Sequence, residues 1–134
     1  MNKKVLIVED DRFIAGIYSK CLSRAGYTVE VADCGQKALD RLPVFRPDAL
    51  LLDLMLPLIN GIAIIKRLRA SQEFKALPII VSTNAFVGEM IRDSIQAGAT
   101  KVFNKSTFTP PLLLDVLREI FPFENHEQQP VLGS

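Results

Sequence analysis

One aspartate interrupts an apolar segment near the middle of the chain. Asp53 follows the run Ala49–Leu52 and precedes Leu54, Met55 and Leu56, so its neighbours on both sides are apolar. Such a run is typical of a strand that is buried on both faces. A carboxylate is costly to desolvate without a partner, so we expect Asp53 at the carboxyl end of this strand, where open parallel sheets bind ligands.

Other polar side chains follow the remaining apolar runs of the chain. Val5–Val8 leads into Glu9, Asp10 and Asp11, Ile79–Ser82 leads to Thr83, and Lys101–Phe103 leads to Asn104 and Lys105. In a parallel sheet, all these strand ends lie along one edge. The sequence therefore predicts that several carboxylates, a hydroxyl and an ammonium group converge there with Asp53.

This set of groups indicates phosphoryl chemistry assisted by a cation. Clustered carboxylates repel one another unless a cation joins them, and hard oxygen ligands completed by water suit Mg²⁺. A carboxylate beside such a cation can act as a nucleophile and form an aspartyl phosphate. Lys105 would balance charge on the phosphoryl group, and Thr83 would donate a hydrogen bond to one of its oxygens.

Each residue also has a purely structural interpretation when it is taken alone. The acidic triplet Glu9–Asp11 fits a solvated loop and helix cap, Thr83 fits an ordinary strand end, and Lys105 fits a surface lysine. Because every one of these residues stands at a strand end, the combination favours a functional site.

Helical patterns separate the strands, and the alternation predicts an α/β fold with a doubly wound, five-stranded parallel sheet in three layers and five helices. In the first helix we expect Phe13, Ile14, Ile17, Cys21 and Leu22 to face inward. In the fourth, we expect the same of Met90, Ile91 and Ile95. The predicted strands are Val5–Val8, Thr28–Ala32, Ala49–Leu52, Ile79–Ser82 and Lys101–Phe103. The predicted helices are Arg12–Ala25, Gln36–Leu42 (stopped near Pro43), one capped by Asn60 that runs through Arg69, Phe86–Ala97, and one capped by Thr109.

Composition sets limits on the class of protein. The chain has 134 residues, of which 49% are hydrophobic and 23% are charged, which suits one globular domain. A formal net charge of +1 gives no reason to expect a nucleic acid or a membrane as partner.

We interpret Cys21 and Cys34 as free core thiols. With no signal peptide or membrane span, we expect a cytoplasmic protein. The polar segment 123–134 is expected to be a flexible tail or linker after a domain spanning residues 1–122.

The sequence resembles the receiver domain of two-component response regulators. The matching stretches are Val5–Asp11, Leu51–Pro57 with Asn60-Gly61, Leu77–Thr83, Gln96–Ala99 and Asn104-Lys105, and they span residues 3 to about 121. The resemblance implies the flavodoxin-like strand order 2-1-3-4-5.

The same resemblance implies a role for each site residue. Asp53 would accept a phosphoryl group from a phosphohistidine on a sensor histidine kinase or phosphotransfer protein. Glu9, Asp10, Asp53 and the backbone carbonyl of Met55 would hold Mg²⁺, and Thr83 and Lys105 would contact the phosphoryl oxygens. Phosphorylation would switch a protein-interaction face formed by the fourth helix, fifth strand and fifth helix, where a downstream protein would bind. The sequence is also compatible with a homodimer.

Three positions depart from the usual pattern of the family. Asn84 stands where a small alanine or glycine usually follows the threonine. Val102 stands where the family usually has a switch aromatic, and the adjacent Phe103 should point to the opposite face of the sheet. Ser106 stands where proline, often after a cis peptide, usually follows the lysine, so that peptide either runs trans or carries strain. Apolar Met55 and Ala85, two residues after Asp53 and Thr83, predict slow to moderate self-dephosphorylation.

Other classes of protein remain as alternatives. A haloacid-dehalogenase type phosphatase needs a second aspartate two residues after the nucleophile, and Met55 stands there instead. A flavin or nucleotide carrier would place its phosphate against the acids after the first strand, and the chain lacks GxGxxG and GxxxxGKS/T. A receiver-shaped interaction module that signals without phosphorylation stays open. So does a receiver that belongs to a hybrid kinase or a longer regulator.

Overall fold

The strands and helices alternate along the part of the chain that the structure describes, as the sequence predicts. The computed structural model describes residues 2–84 and 88–122. The predicted tail, 123–134, lies outside the described residues. The strands are β1 (Lys4–Val8), β2 (Thr28–Ala32), β3 (Ala49–Leu52), β4 (Ile79–Thr83) and β5 (Lys101–Asn104). The helices are α1 (Arg12–Arg24), α2 (Gly35–Phe45), α3 (Gly61–Ala70), α4 (Gly88–Ala97) and α5 (Pro110–Ile120).

The five strands form one parallel sheet in the order β2-β1-β3-β4-β5, which confirms the predicted fold and strand order. The register aligns Val8 of β1 with Leu52 of β3, and Leu52 with Val81 of β4. The carboxyl ends of these three strands therefore meet at one edge. Every residue of β3 and β4 is buried, as expected for strands covered on both faces.

A separate hydrophobic core lies on each face of the sheet, and together with the helices they make three layers. One core packs α2 and α3 against the sheet, with Leu42 and Ile64 among the fully buried side chains. The other core packs α1 and α5, with Leu22 and Leu113 fully buried. Burying side chains of this size on both faces is the main source of stability for such a fold.

Several helix boundaries follow the predicted local chemistry. The Asn60 side chain caps α3 by accepting a hydrogen bond from the Ala63 N–H (2.9 Å), and the Thr109 side chain caps α5 in the same way. Gly26, two residues after the end of α1, has a φ of +101°. This left-handed conformation favours glycine and turns the chain away from the helix.

The predicted end of the second helix is wrong. Instead of stopping near Pro43, α2 continues through that proline to Phe45. Phe45 is buried in the core, and the left-handed Arg46 donates its backbone N–H to the Leu42 carbonyl, so packing and a C-terminal cap sustain the last turn.

The inward faces of α1 and α4 also differ from the prediction. Phe13 and Ile17 are exposed (76% and 42%). Leu22 is fully buried, as predicted, and Ala15 and Tyr18 are the other buried residues of α1. In α4, Ile95 is exposed, while the fully buried Ser94 donates its hydroxyl to the Ile91 carbonyl. In both helices a polar side chain with a hydrogen-bond partner takes the buried position, and hydrophobicity alone does not reveal that partner.

Candidate functional site at the carboxyl edge of the sheet

Asp53 lies directly after β3 and is almost completely buried, with 6% of its surface exposed. Its backbone N–H donates to the Val8 carbonyl (3.1 Å), which ties it to the end of β1. Its Oδ1 accepts the backbone N–H of Met55 at 3.0 Å. The strand and the following turn therefore fix both the backbone and the side chain of this aspartate.

A glycine allows α3 to begin close behind Asp53. A Cβ atom on Gly61 would lie 2.7 Å from the Leu54 Cα and 2.8 Å from the Asp53 carbonyl oxygen. The Gly61 N–H donates to the Leu54 carbonyl at 3.0 Å. Since any larger residue would have to displace backbone atoms, Gly61 helps to set the position of the turn that carries Asp53.

The three consecutive acids after β1 have three different environments. Glu9 is buried, and its Oε2 accepts the Asp11 N–H at 3.0 Å. Asp10 is exposed. The Asp11 side chain caps α1 by accepting the N–H groups of Phe13 and Ile14. The helix-cap interpretation therefore applies to Asp11, and Glu9 and Asp10 are the acids that face the site.

Glu9, Asp10 and Asp53 offer carboxylate oxygens that all lie within 4.8 Å of one another. Oxygen ligands at such spacing suit a hard divalent cation that keeps several waters, as Mg²⁺ does. The donor set therefore fits Mg²⁺. The Met55 side chain is more than half exposed, and its backbone N–H is bonded to Asp53.

Lys105 places its ammonium group between the two buried acids. Its Nζ lies 2.9 Å from Asp53 Oδ2 and 2.5 Å from Glu9 Oε1, and only 11% of its side chain is exposed. The backbone N–H of Lys105 donates to the Thr83 carbonyl (2.9 Å), which fixes the residue against the end of β4. The structure thus brings Lys105 together with Glu9 and Asp53, as the strand-end pattern predicts.

The buried charges shift one another's protonation equilibria. Burial raises the pKa of Glu9 above its ordinary value, although its hydrogen bonds to Lys105 and to the Asp11 N–H oppose the shift. Burial acts to lower the pKa of Lys105, but the hydrogen bonds to Glu9 and Asp53 and the negative charges of these two acids together outweigh burial and raise that pKa. Lys105 is therefore held in its charged form, which suits a group that would neutralise a phosphoryl oxygen.

Thr83 ends β4 and is buried beside the site, with 1% of its surface exposed. It is aligned with Asn104 of β5 in the parallel register. Asn84, the next residue, is exposed. Ala85, which the lifetime prediction invokes, lies outside the described residues.

The loop after Lys105 contains a turn that the sequence-based reasoning missed. The Asn104 side chain accepts hydrogen bonds from the backbone N–H (2.9 Å) and the hydroxyl (2.8 Å) of Ser106. The Lys105–Ser106 peptide is trans. An asparagine two residues before a serine is a common turn-forming pair, so the signal was present in the sequence.

A surface pocket of about 500 Å³ opens beside the acids. Asp10 and Met55 line it together with Met90 of α4. Asp10 is thus the acid of the site that borders this pocket, while Asp53 is buried and does not line the pocket itself. Within residues 2–84 and 88–122, no helix has the length and apolarity needed to cross a bilayer.

Residues 5–118 match the response regulator receiver domain family, and the chain belongs to that family. It is thus a receiver domain of the kind used in two-component signalling, which confirms the resemblance noted from its motifs.

Individual relatives agree with this assignment. Over 83 residues the chain is 41% identical to the response regulator MprA of Mycobacterium tuberculosis, a match that covers 62% of this chain and 35% of that protein. The chain spans about a third of the length of such curated relatives. Among solved structures, chemotaxis response regulator CheY4 of Vibrio cholerae superposes with a TM-score of 0.82 at 32% identity, covering 90% of this chain and 99% of that one. A CheY-like receiver domain protein from Methanospirillum hungatei gives a TM-score of 0.84 at 25% identity, with 95% and 99% coverage.

Proposed function

We propose that this receiver domain accepts a phosphoryl group on Asp53 from a phosphohistidine of a sensor histidine kinase or phosphotransfer protein. One observation carries the proposal. A carboxylate oxygen of Asp53 lies within 4.8 Å of carboxylate oxygens of Glu9 and Asp10, and the Lys105 ammonium contacts both Asp53 (2.9 Å) and Glu9 (2.5 Å). A carboxylate nucleophile that shares a site with a cation-binding set of acids and an ammonium group is the arrangement that phosphoryl transfer requires.

The transfer step exchanges one bond to phosphorus for another. A carboxylate oxygen of Asp53 attacks the phosphorus atom, the bond between phosphorus and the imidazole nitrogen breaks, and its electron pair returns to nitrogen. The Val8 and Met55 backbone contacts hold the aspartate for attack, so little reorganisation is needed.

Glu9, Asp10, Asp53 and the Met55 carbonyl would hold Mg²⁺ at this site. The bound ion would supply charge neutralisation for the phosphoryl oxygens and the acids. Lys105 would move from the Asp53 carboxylate to a phosphoryl oxygen as negative charge develops there, and the Thr83 hydroxyl would donate to another.

The proposal is tested by incubation with acetyl phosphate and Mg²⁺, followed by measurement of the intact mass. The wild-type protein should gain the mass of one phosphoryl group, and Asp53→Asn should gain none. Asp115→Asn is the matched control, because Asp115 is an exposed acid on α5 that pairs with Arg118 (3.6 Å) and takes no part in the contacts of the site. Absence of an adduct on the wild type would favour the alternative, a receiver-shaped module that signals without phosphorylation.

A companion measurement tests the metal ligands. Asp10→Asn should weaken Mg²⁺ binding, measured by calorimetry, because a carboxylate oxygen is replaced by a weaker amide ligand. Asp40→Asn changes an acid whose side chain is bonded to Gln36 on α2, and it should leave the affinity unchanged. If Asp10→Asn binds Mg²⁺ as tightly as the wild type, Asp10 is not a ligand.

The phosphorylated state would be read out at the face of α4, β5 and α5. A dianion beside Thr83 and Lys105 changes the charge at the ends of β4 and β5, which gives a physical cause for the shift. Met55 has an apolar side chain that cannot orient an attacking water by hydrogen bonding, so we expect slow to moderate self-dephosphorylation. Loss of the phosphoryl group within minutes from the isolated protein would contradict this expectation.

A further inference from the structure

Tyr18 is a buried polar residue on α1 that the phosphoacceptor chemistry does not use. It is 6% exposed, and its hydroxyl donates a hydrogen bond to the backbone carbonyl of Phe108 at 3.0 Å. This bond joins residues that are 90 positions apart in the sequence. Buried hydroxyls need such partners, so the bond fixes α1 to the loop between β5 and α5.

An aromatic stack strengthens the same connection. The Tyr18 ring stacks on Phe108 with centroids 5.9 Å apart, and Phe108 stacks on Phe103 at 4.6 Å. Phe103 belongs to β5 and lies two residues before Lys105. Phe108 is therefore held between the strand that leads to Lys105 and the helix that carries Tyr18.

The loop that holds Lys105 depends on these contacts. Ser106 follows Lys105 and lacks the fixed φ that a proline would impose. The first half of the loop is ordered by Asn104, which accepts the Ser106 N–H through its side chain and the Phe108 N–H (3.0 Å) through its carbonyl. The far end of the loop is held at Phe108, whose carbonyl accepts the Tyr18 hydroxyl. Lys105 therefore lies in a loop that is fixed at both ends.

We propose that Tyr18 is a positioning residue for Lys105. Its hydroxyl, acting through the Phe108 carbonyl, holds the loop so that the Lys105 ammonium group reaches both Glu9 and Asp53. The inference rests on the proposed function for its consequence, which is faster phosphorylation of Asp53. Burial raises the pKa of the Tyr18 hydroxyl, and the charges of Lys105 and Glu9 act on that pKa in opposite directions.

The first test compares two hydroxyl deletions. Tyr18→Phe keeps the ring and its stack but removes the hydrogen bond, and it should slow phosphorylation by acetyl phosphate by about 2- to 10-fold, the effect of one hydrogen bond. Tyr27→Phe is the matched control, because Tyr27 is a partly buried tyrosine that packs against the same core. It should leave the rate unchanged. A Tyr18→Phe rate equal to the wild-type rate would overturn the inference.

A double-mutant cycle separates positioning from a general structural role. If Tyr18 acts through Lys105, removing its hydroxyl should have no further effect on the rate in a Lys105→Ala background. A general loosening of the fold would slow both backgrounds alike. An equal Tyr18→Phe effect with and without Lys105 would therefore overturn the inference.

A third measurement does not depend on phosphorylation. In protein carrying isotope-labelled tyrosine, Lys105→Ala should shift the ring resonances of Tyr18 and leave those of Tyr27 in place. Tyr27→Phe assigns the two sets, since the chain has two tyrosines. Unmoved Tyr18 resonances would overturn the inference. Shifted resonances in a protein that gains no phosphoryl group would support the link between Tyr18 and Lys105 and refute the proposed function alone.

Discussion

Replacing Lys105 by methionine tests the electrostatic design of the site without any phosphoryl donor. The substitution keeps an unbranched side chain of similar length but removes the ammonium group between Glu9 and Asp53. Both carboxylates are more than 90% buried, and each loses its charged partner. We expect the variant to be less stable than the wild type in the absence of Mg²⁺.

The size of the loss follows from the contacts. Lys105 makes two charge-assisted interactions, each of which contributes about 1.5–3 kcal/mol when partly buried. Glu9 and Asp53 keep their backbone donors, the N–H groups of Asp11 and Met55, which reduce the penalty. The lysine also no longer has to be desolvated. We therefore expect a net loss of about 2–4 kcal/mol in the free energy of unfolding.

Urea unfolding followed by circular dichroism measures this loss with and without Mg²⁺. Mg²⁺ should restore more stability in Lys105→Met than in the wild type, because the competing ammonium is gone and the ion neutralises the same two acids. Each tenfold excess of the Mg²⁺ concentration over its Kd adds about 1.4 kcal/mol to the free energy of unfolding. Lys101→Met is the control, since Lys101 lies 3.7 Å from Glu119 in an exposed pair and should lose less than about 1 kcal/mol. Equal stability of Lys105→Met and wild type without Mg²⁺ would refute the reasoning.

Three further predictions concern neighbouring features of the fold and site. The pKa of Glu9 in the folded protein lies above its ordinary 4.5, so Glu9 binds a proton as the pH falls towards that raised value. Mg²⁺ affinity should then fall by up to about tenfold per pH unit. Calorimetry should show a shallower pH dependence of the affinity in Glu9→Gln. Gly61→Ala should lose about 1–3 kcal/mol in urea unfolding, because its Cβ would lie 2.7 Å from a backbone atom, whereas Gly16→Ala in open space should lose nothing. Arg69→Met should lower the free energy of unfolding by about 1–3 kcal/mol, because Arg69 donates two hydrogen bonds (2.8 and 2.9 Å) to the Gly98 carbonyl at the end of α4. A loss no greater than that of Arg67→Met would contradict this role.

The sheet and its polar edge could be predicted because both follow from short-range patterns of apolar and polar residues in the sequence. A four-residue strand such as Ala49–Leu52 is apolar throughout, and the first polar residue after it marks its end. Parallel pairing then brings Asp53, Glu9 and Lys105 to one edge without any knowledge of side-chain packing. The same logic could not separate Glu9, Asp10 and Asp11, because their environments depend on where α1 begins.

The helix faces were harder to predict because long-range partners decide them. Phe13 and Ile17 are more hydrophobic than Tyr18, yet Tyr18 is buried because a carbonyl 90 residues away accepts its hydroxyl. Ser94 takes the buried position on α4 by bonding to its own helix. A hydrophobic stripe therefore identifies the helix, but the buried polar residue identifies which face packs.

Two adjacent residues of β5 show how the departures from the family pattern act in this fold. Val102 packs against the core beneath α2 and α3, while Phe103 packs against the core beneath α1 and α5, which confirms that they point to opposite faces. The aromatic ring on β5 therefore lies on the same side of the sheet as Phe108 and Tyr18. Phe108, three residues after Lys105, stacks on Phe103 at 4.6 Å, so the loop that follows Lys105 packs on the α1–α5 side of the sheet and not on the side that Val102 faces.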